Sequence, residues 1–312
     1  MTEDVSVDRV RKPRIWAIGG GKGGIGKSVI ATNLAVSMAG PDRRIALVDA
    51  DLGGANLHTL LGVPSPKVNL SDFISKKVTS LGEVMTPTSV DNVWLISGAK
   101  ALVEMANPNF SQKNKILRHI NLLDVDHVVL DLGAGTSFNV LDFFLAARKG
   151  VLVVVPEPTS VENAYHFLKA AFFRKLKRAE PRKEVKAAIK EVMNGSARSK
   201  VKTPRDLISQ VWAVDPEVGA ALVAEATGFR PGLIVNRVDH PRHDRLGTDM
   251  VTACRDYFGI RLQFLGSLPN DKLVTRSVLE QKPATQYFSQ IPFSSALRGV
   301  INNLTYARQR AS

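Results

Sequence analysis

Two lysines, a serine and six glycines fall within ten residues, GGGKGGIGKS, Gly19 to Ser28. Gly21, four residues, then Gly26-Lys27-Ser28 satisfies G-x-x-x-x-G-K-[ST], a spacing in which glycines let the backbone wrap closely and turn its N–H groups toward phosphate oxygens. Lys27 would reach the β and γ phosphates, and the Ser28 hydroxyl would ligate Mg²⁺. Two further segments supply carboxylates: LVDADLGGANL carries Asp49 and Asp51, and VVLDLGAGTS carries Asp131. One such carboxylate can hold Mg²⁺ through water while another orients an attacking water. Gly53-Gly54 and Gly133 with Gly135 follow them and would let the backbone swing as a γ phosphate comes and goes. Lys22 is surplus to this scheme. A loop that already has Lys27 gains little from a second cation of its own subunit, whereas charge developing in phosphoryl transfer is stabilised by a cation delivered from outside.

The elements that must position these groups are legible as an alternation. Short β-branched runs (IWAIGG, IALVDAD, VWLISG, HVVLDLG, VLVVVPE, GLIVNRV, LQFLGSLP) are interleaved with helical patterns such as SVIATNLAVSMAG, SFNVLDFFLAARKG and VENAYHFLKAAFFRKL. Several runs are nearly continuous in apolar residues, as in parallel strands covered on both faces, and the alternation predicts an α/β fold with a doubly wound, mostly parallel sheet. Ligands of such sheets bind beyond the carboxyl ends of the strands, where the glycine loop, Asp51 and Asp131 all fall. The expected organisation is a tail over 1–13, one domain over 14–309 with a helical insertion over about 174–230, and a tail over 310–312. Within the insertion EVKAAIKEVM has helical spacing, NGSARSKVKTP reads as a loop, and PRDLISQVWAVDPEVGAALVAEATG as short helices ending at Gly228.

The chain has 312 residues and a formal charge of +13. That charge is concentrated: residues 172–205 hold twelve basic side chains against three acidic ones. The block is either a solvated helix face or an electrostatic footprint for nucleic acid or anionic lipid. Cys254 is the sole cysteine, so the sequence offers no internal disulfide and no cysteine pair for a metal or cluster. The charged amino-terminal residues lack a secretory h-region, and no apolar run reaches the roughly 20 residues of a membrane span. A cytoplasmic protein is expected, with any membrane contact peripheral.

The wording KGGIGKS, VDADLGGANLHTLLG and VLDLGAGTS resembles the deviant Walker A, switch I and switch II segments of the MinD/ParA family of P-loop ATPases, in order from Arg14 to about Asn303. Within it, the switch wording is most similar to the MinD-like flagellar-number regulators, FlhG and FleN. The resemblance implies ATP and Mg²⁺ as cofactors, held by Gly21, Lys22, Gly23, Gly24, Ile25, Gly26, Lys27 and Ser28. It implies that Lys22 crosses a homodimer interface to the nucleotide of the other subunit, that Asp51 positions the hydrolytic water, that Asp131 is the Walker B acid, and that Ser28, Asp51 and Asp131 surround the metal. Asn56 would sit at the ATP-dependent dimer face and Gly133, where MinD has a proline, in switch II. Asn236 would read adenine, with Pro269 and Asp271 lining the base pocket.

An ATPase competent only as a dimer is a timer whose dimer holds a surface until hydrolysis releases it. One reading is a positioning switch at the membrane or at polar flagellar machinery, with an activating partner protein. The other is a ParA-like ATPase that coats DNA without sequence preference through the basic insertion at 174–205. Phe293, Leu297, Val300, Ile301 and Leu304 form an apolar stripe at helical spacing near the carboxyl end, open to core packing or to membrane targeting.

Overall fold

A computed structural model describes residues 12–51, 54–98, 108–179 and 204–306. In chain order the elements are β1 (Arg14–Gly19), α1 (Lys27–Met38), β2 (Ile45–Asp49), α2 (Leu57–Leu60), α3 (Leu70–Ile74), β3 (Thr86–Pro87), β4 (Val93–Ile96), α4 (Phe110–Ile120), β5 (His127–Asp131), α5 (Phe138–Ala146) and β6 (Lys149–Val154). There follow α6 (Pro158–Ala179), α7 (Pro204–Val214), α8 (Pro216–Gly228), β7 (Gly232–Val238), α9 (Leu246–Phe258), β8 (Gln263–Pro269), α10 (Lys272–Leu279), α11 (Ala284–Tyr287) and α12 (Pro292–Tyr306).

The strands form one sheet in the order β3-β4-β2-β5-β1-β6-β7-β8. Every neighbouring pair is parallel except β3 with β4 at one edge. The doubly wound arrangement follows from the strands themselves. Along β1, Ile15 and Ala17 enter the core on one face, and Trp16 and Ile18 the core on the other. A strand buried on both faces needs no polar alternation. The first face is covered by α3 to α9, and the second by α1, α2, α11 and α12.

The glycine loop therefore leaves the sheet from its interior, where β1 lies between β5 and β6. Register brings the acids to it: Asp131, the last residue of β5, is opposite Ile18 of β1 and Asp49 of β2.

One buried ion cluster fixes the helix behind the switch II segment. Asp142 of α5 is fully buried and takes Lys113 from α4 together with Arg174 and Arg178 from α6. Burial alone would raise its carboxyl, but hydrogen bonds from Arg174 and Lys113 and the charge of Arg178 hold it below the usual carboxylate range. Removing one partner of such a cluster leaves an uncompensated buried charge, so α5 is tied at its middle to α4 and α6.

The apolar stripe of α12 is core: Phe293, Leu297, Val300, Ile301 and Leu304 are all buried, and the helix packs along β8. Membrane targeting by this stripe is thereby excluded. No helix among the described residues is long and apolar enough to cross a membrane. The expected helices before Gly228 are α7 and α8, whose Leu207, Val218, Leu222 and Ala226 join the same core as α6. The helical reading of EVKAAIKEVM, most of the basic block and the tails lie outside the described residues. Of the block's described cations, Arg174 and Arg178 are engaged by Asp142 and Lys175 by Glu225 at 2.5 Å. The expected electrostatic footprint is smaller by these three.

Candidate functional site

The loop between β1 and α1 is built around two glycines that nothing larger could replace. A Cβ on Gly21 would lie 2.2 Å from the carbonyl oxygen of Asn163, a backbone atom that cannot swing aside. Gly26 has φ 90° and its Cβ position is 2.5 Å from the Asn236 amide nitrogen. Gly23 and Gly24, by contrast, have open space at their Cβ positions. They face outward, as residues that admit a ligand or another chain must. Asn236, in the second half of β7, donates its side-chain N–H to the Ile25 carbonyl at 2.9 Å and is buried. It braces the loop from behind, a contact across 211 residues. α1 begins at Lys27 with no side-chain cap, so its first N–H groups are not taken up by a capping side chain and point at the loop.

Lys27 is buried, and its ammonium donates to the Lys22 carbonyl at 3.2 Å. Burial lowers its pKa, against the opposing pull of Asp131 and then Asp51. The Ser28 hydroxyl bonds the Asp131 carboxylate, whose Oδ1 is buried and has no hydrogen-bond partner. An orphaned carboxylate oxygen beside a serine hydroxyl and a lysine is the donor set a hydrated Mg²⁺ would complete. Among the described residues no three histidine, cysteine, aspartate or glutamate side chains gather as a metal site of their own. An ion here would need phosphate and water for the rest of its shell.

The three acids differ in what surrounds them. Asp131 is raised to about 7, first by burial, with the Ser28 bond opposing and Asp49 adding. Asp49 is raised to about 6 by burial, and its oxygens accept from the backbone N–H of Leu57 at 3.1 Å and of Asp51 at 3.3 Å. It pins both ends of the switch I segment, a role its place in the strand-end DAD gave no means of assigning. Asp51 is half-buried, with its carboxylate between two glycines: Cβ positions on Gly133 and Gly54 would lie 3.0 and 3.2 Å from its oxygens. Gly133 thus keeps switch II close against switch I. Asn56 is exposed and bonds the Gly54 carbonyl at 2.7 Å.

Asp131→Asn tests the burial of this charge. In the fold the carboxyl is pushed up to about 7, from 3.8 for the free side chain. Between those values the folded state holds more proton than the unfolded one, so its contribution makes stability fall as pH rises through that window. An amide does not titrate. The variant should be more stable than the parent in urea melts, with the gap widening by about 3 kcal/mol from pH 5 to pH 8. A gap that does not change with pH would show that Asp131 ionises freely in the fold.

Lys22 lies at the mouth of the loop. Its ammonium pairs with Glu157 at 2.9 Å and bonds the Thr159 hydroxyl at 3.1 Å, both at the entry to α6. Sequence reasoning missed Glu157, Thr159 and Asn163 because only the fold brings the segment after β6 to the loop. Pro269 ends β8 opposite Val238, and Asp271 caps α10 by accepting the Leu273 N–H at 2.9 Å. These two stand beside the end of β7, two residues beyond Asn236.

A family model described as "ParA: NUBPL iron-transfer P-loop NTPase" matches residues 11–179, slightly more than half of the chain. The antiactivator FleN of Pseudomonas aeruginosa is 37% identical over 158 residues, which cover 50% of this chain and 55% of that protein. The flagellum site-determining protein YlxH of Helicobacter pylori is 31% identical over 171 residues, 52% of this chain and 55% of that one. The chain spans about half the length of these curated relatives. Among solved structures, the septum site-determining protein MinD of Pyrococcus horikoshii, complexed with Mg-ADP, superposes with a TM-score of 0.61 at 20% identity, covering 95% of this chain and 97% of that one. At that identity the likeness is one of fold. Cys254, the sole cysteine, is buried and its thiol is pushed up to about 12 by burial, a poor ligand for iron.

Proposed function

The chain belongs to the ParA/MinD family of P-loop NTPases, and from that premise we propose that it is a Mg²⁺-dependent ATPase that dimerises with ATP and works as a positioning switch for flagellar number or placement, or for a division site. The observation that carries the ATPase reading is the convergence of Lys27, Ser28, Asp51 and Asp131 on one loop at the carboxyl ends of β1, β2 and β5. The positioning reading rests on the names of the relatives, an antiactivator, a flagellum site-determining protein and a septum site-determining protein.

In this reading the loop N–H groups and the start of α1 cradle the phosphates, and Lys27 exchanges the Lys22 carbonyl for phosphate oxygens. Ser28, and Asp131 by way of water, are the side chains that would hold Mg²⁺, which would supply charge neutralisation for the phosphates when bound. Asp51 orients the attacking water, and Gly133 lets switch II follow the γ phosphate. Lys22 leaves Glu157 and reaches the nucleotide of a second copy, with Asn56 at the same face. Asn236 keeps the loop in shape, and Pro269 and Asp271 border the base.

Size-exclusion chromatography with light scattering tests the central claim. The protein should run as a monomer alone or with ADP and as a dimer with ATP and Mg²⁺. A monomer under all three conditions would overturn it.

A further inference from the structure

At the end of the sheet remote from the phosphate loop, the starts of β1, β6, β7 and β8 open into a cleft of about 580 Å³. Five cations line it: Arg14 begins β1, Arg148 and Lys149 form the junction of α5 with β6, Arg230 lies between α8 and β7, and Lys175 comes from α6. No aspartate or glutamate is among the described residues of its lining. Lys175 is paired with Glu225, which lies outside that lining.

Half-buried Lys149 and buried His127 both lie among these cations. Lys149 is held on the Gln263 side-chain oxygen, and its pKa is lowered by burial and then by Arg148 and Arg230. His127, which accepts the Trp16 indole N–H at 3.2 Å, is pushed down to about 4 by burial and then by Arg14, with Arg43 and Arg148 adding and Asp126 opposing. Like charges brought together at Arg14, Lys149 and Arg230 from three parts of the chain repel one another, and an anion that binds them recovers that loss. Nothing in the nucleotide site uses these residues. Arg14 opens β1 and the loop follows its last residue, Gly19, five residues and roughly 17 Å of strand away.

We propose that this cleft binds a small anion carrying two or more phosphate groups. The volume falls within the range of small-molecule sites, roughly 300–1,000 Å³, and the cations converge on a concavity. Duplex DNA or a bilayer would instead be met by cations spread over an open face. Arg14, Arg148 and Arg230 supply planar forks suited to phosphate, and Lys149 and Lys175 supply point charges.

The test titrates tripolyphosphate, by calorimetry and by thermal melting, into the full chain saturated with ADP, with Mg²⁺ in excess of both ligands so that the phosphate loop is occupied. One additional site is expected. Lys149→Met and Arg230→Gln should each weaken it about tenfold and the double variant about a hundredfold, with orthophosphate bound at least about tenfold more weakly than tripolyphosphate. Without anion the double variant should melt several degrees above the parent, and tripolyphosphate should raise the melting temperature of the parent alone. Absence of binding to the ADP-saturated protein, or equal binding by the variants, would overturn the proposal. So would tighter binding of a short DNA duplex or of phosphatidylglycerol vesicles that the same substitutions abolish, since that would assign the cleft to a macromolecular surface.

Discussion

Lys22→Ala should bind ATP within about threefold of the parent, fail to form the ATP-dependent dimer, and turn over about 10³-fold more slowly. The magnitude comes from weighing two placements of one ammonium. In the single chain it sits on Glu157 and Thr159, with the Lys22 and Glu157 side chains 39% and 54% exposed. A pair that open to water contributes at most about 1 kcal/mol, and less in salt. A cation delivered across an interface to charge developing in phosphoryl transfer contributes roughly 10³ to 10⁵ in rate, or about 4–7 kcal/mol. The second placement wins by several kcal/mol, so the contact with Glu157 does not oppose a crossing role; it parks the side chain where it can be released. Glu157→Gln should accordingly change dimerisation by less than about fivefold. Equilibrium dialysis with ATP, light scattering and steady-state phosphate release separate the three expectations. Normal hydrolysis by a monomeric Lys22→Ala protein would remove the basis for a shared site.

What the sequence makes legible depends on how far apart the cooperating residues lie. The loop from Gly19 to Ser28 is contiguous, and its spacing carries both its shape and its chemistry. The seven strands read from apolar runs are all in the sheet, and the stripe from Phe293 to Leu304 is buried as one helix face. The antiparallel β3 escaped because a two-residue edge strand has no periodicity to detect. Contacts across more than a hundred residues were equally invisible: Lys22 with Glu157, and Asn236 with Ile25. Asn236 is instructive, since its position was legible in the sequence while its bond to the Ile25 carbonyl was not. Asp142 reads in FNVLDFFLA as an acid on an apolar helix, and only the packing of α4, α5 and α6 gives it three cations. The cationic cleft was hidden in the same way, its residues being single charges at the ends of elements that meet only in the sheet.

Asp51→Ala should bind ATP and dimerise yet hydrolyse about 10²- to 10³-fold more slowly, so that the dimer accumulates. Two acids two residues apart compete for the role of holding the attacking water, and the geometry divides them. Asp49 is almost fully buried, raised to about 6, and both its oxygens are committed to backbone N–H groups of the switch I segment. It has little capacity left for a water, and its loss would free Leu57 and unpin the segment. The Asp51 carboxylate accepts no hydrogen bond from the described residues, lies close enough to influence Lys27 and Asp131, and is approached by both switches at Gly54 and Gly133. A half-buried carboxylate with free lone pairs, placed between Gly54 and Gly133, is suited to engage a water at the γ phosphate. Single-turnover phosphate release and the lifetime of the ATP dimer should therefore change in opposite directions in Asp51→Ala. A Mg²⁺ titration separates the two jobs the position could hold: an unchanged midpoint assigns Asp51 to the water, and a midpoint raised about tenfold or more assigns it to the metal. Hydrolysis at the parent rate would exclude both.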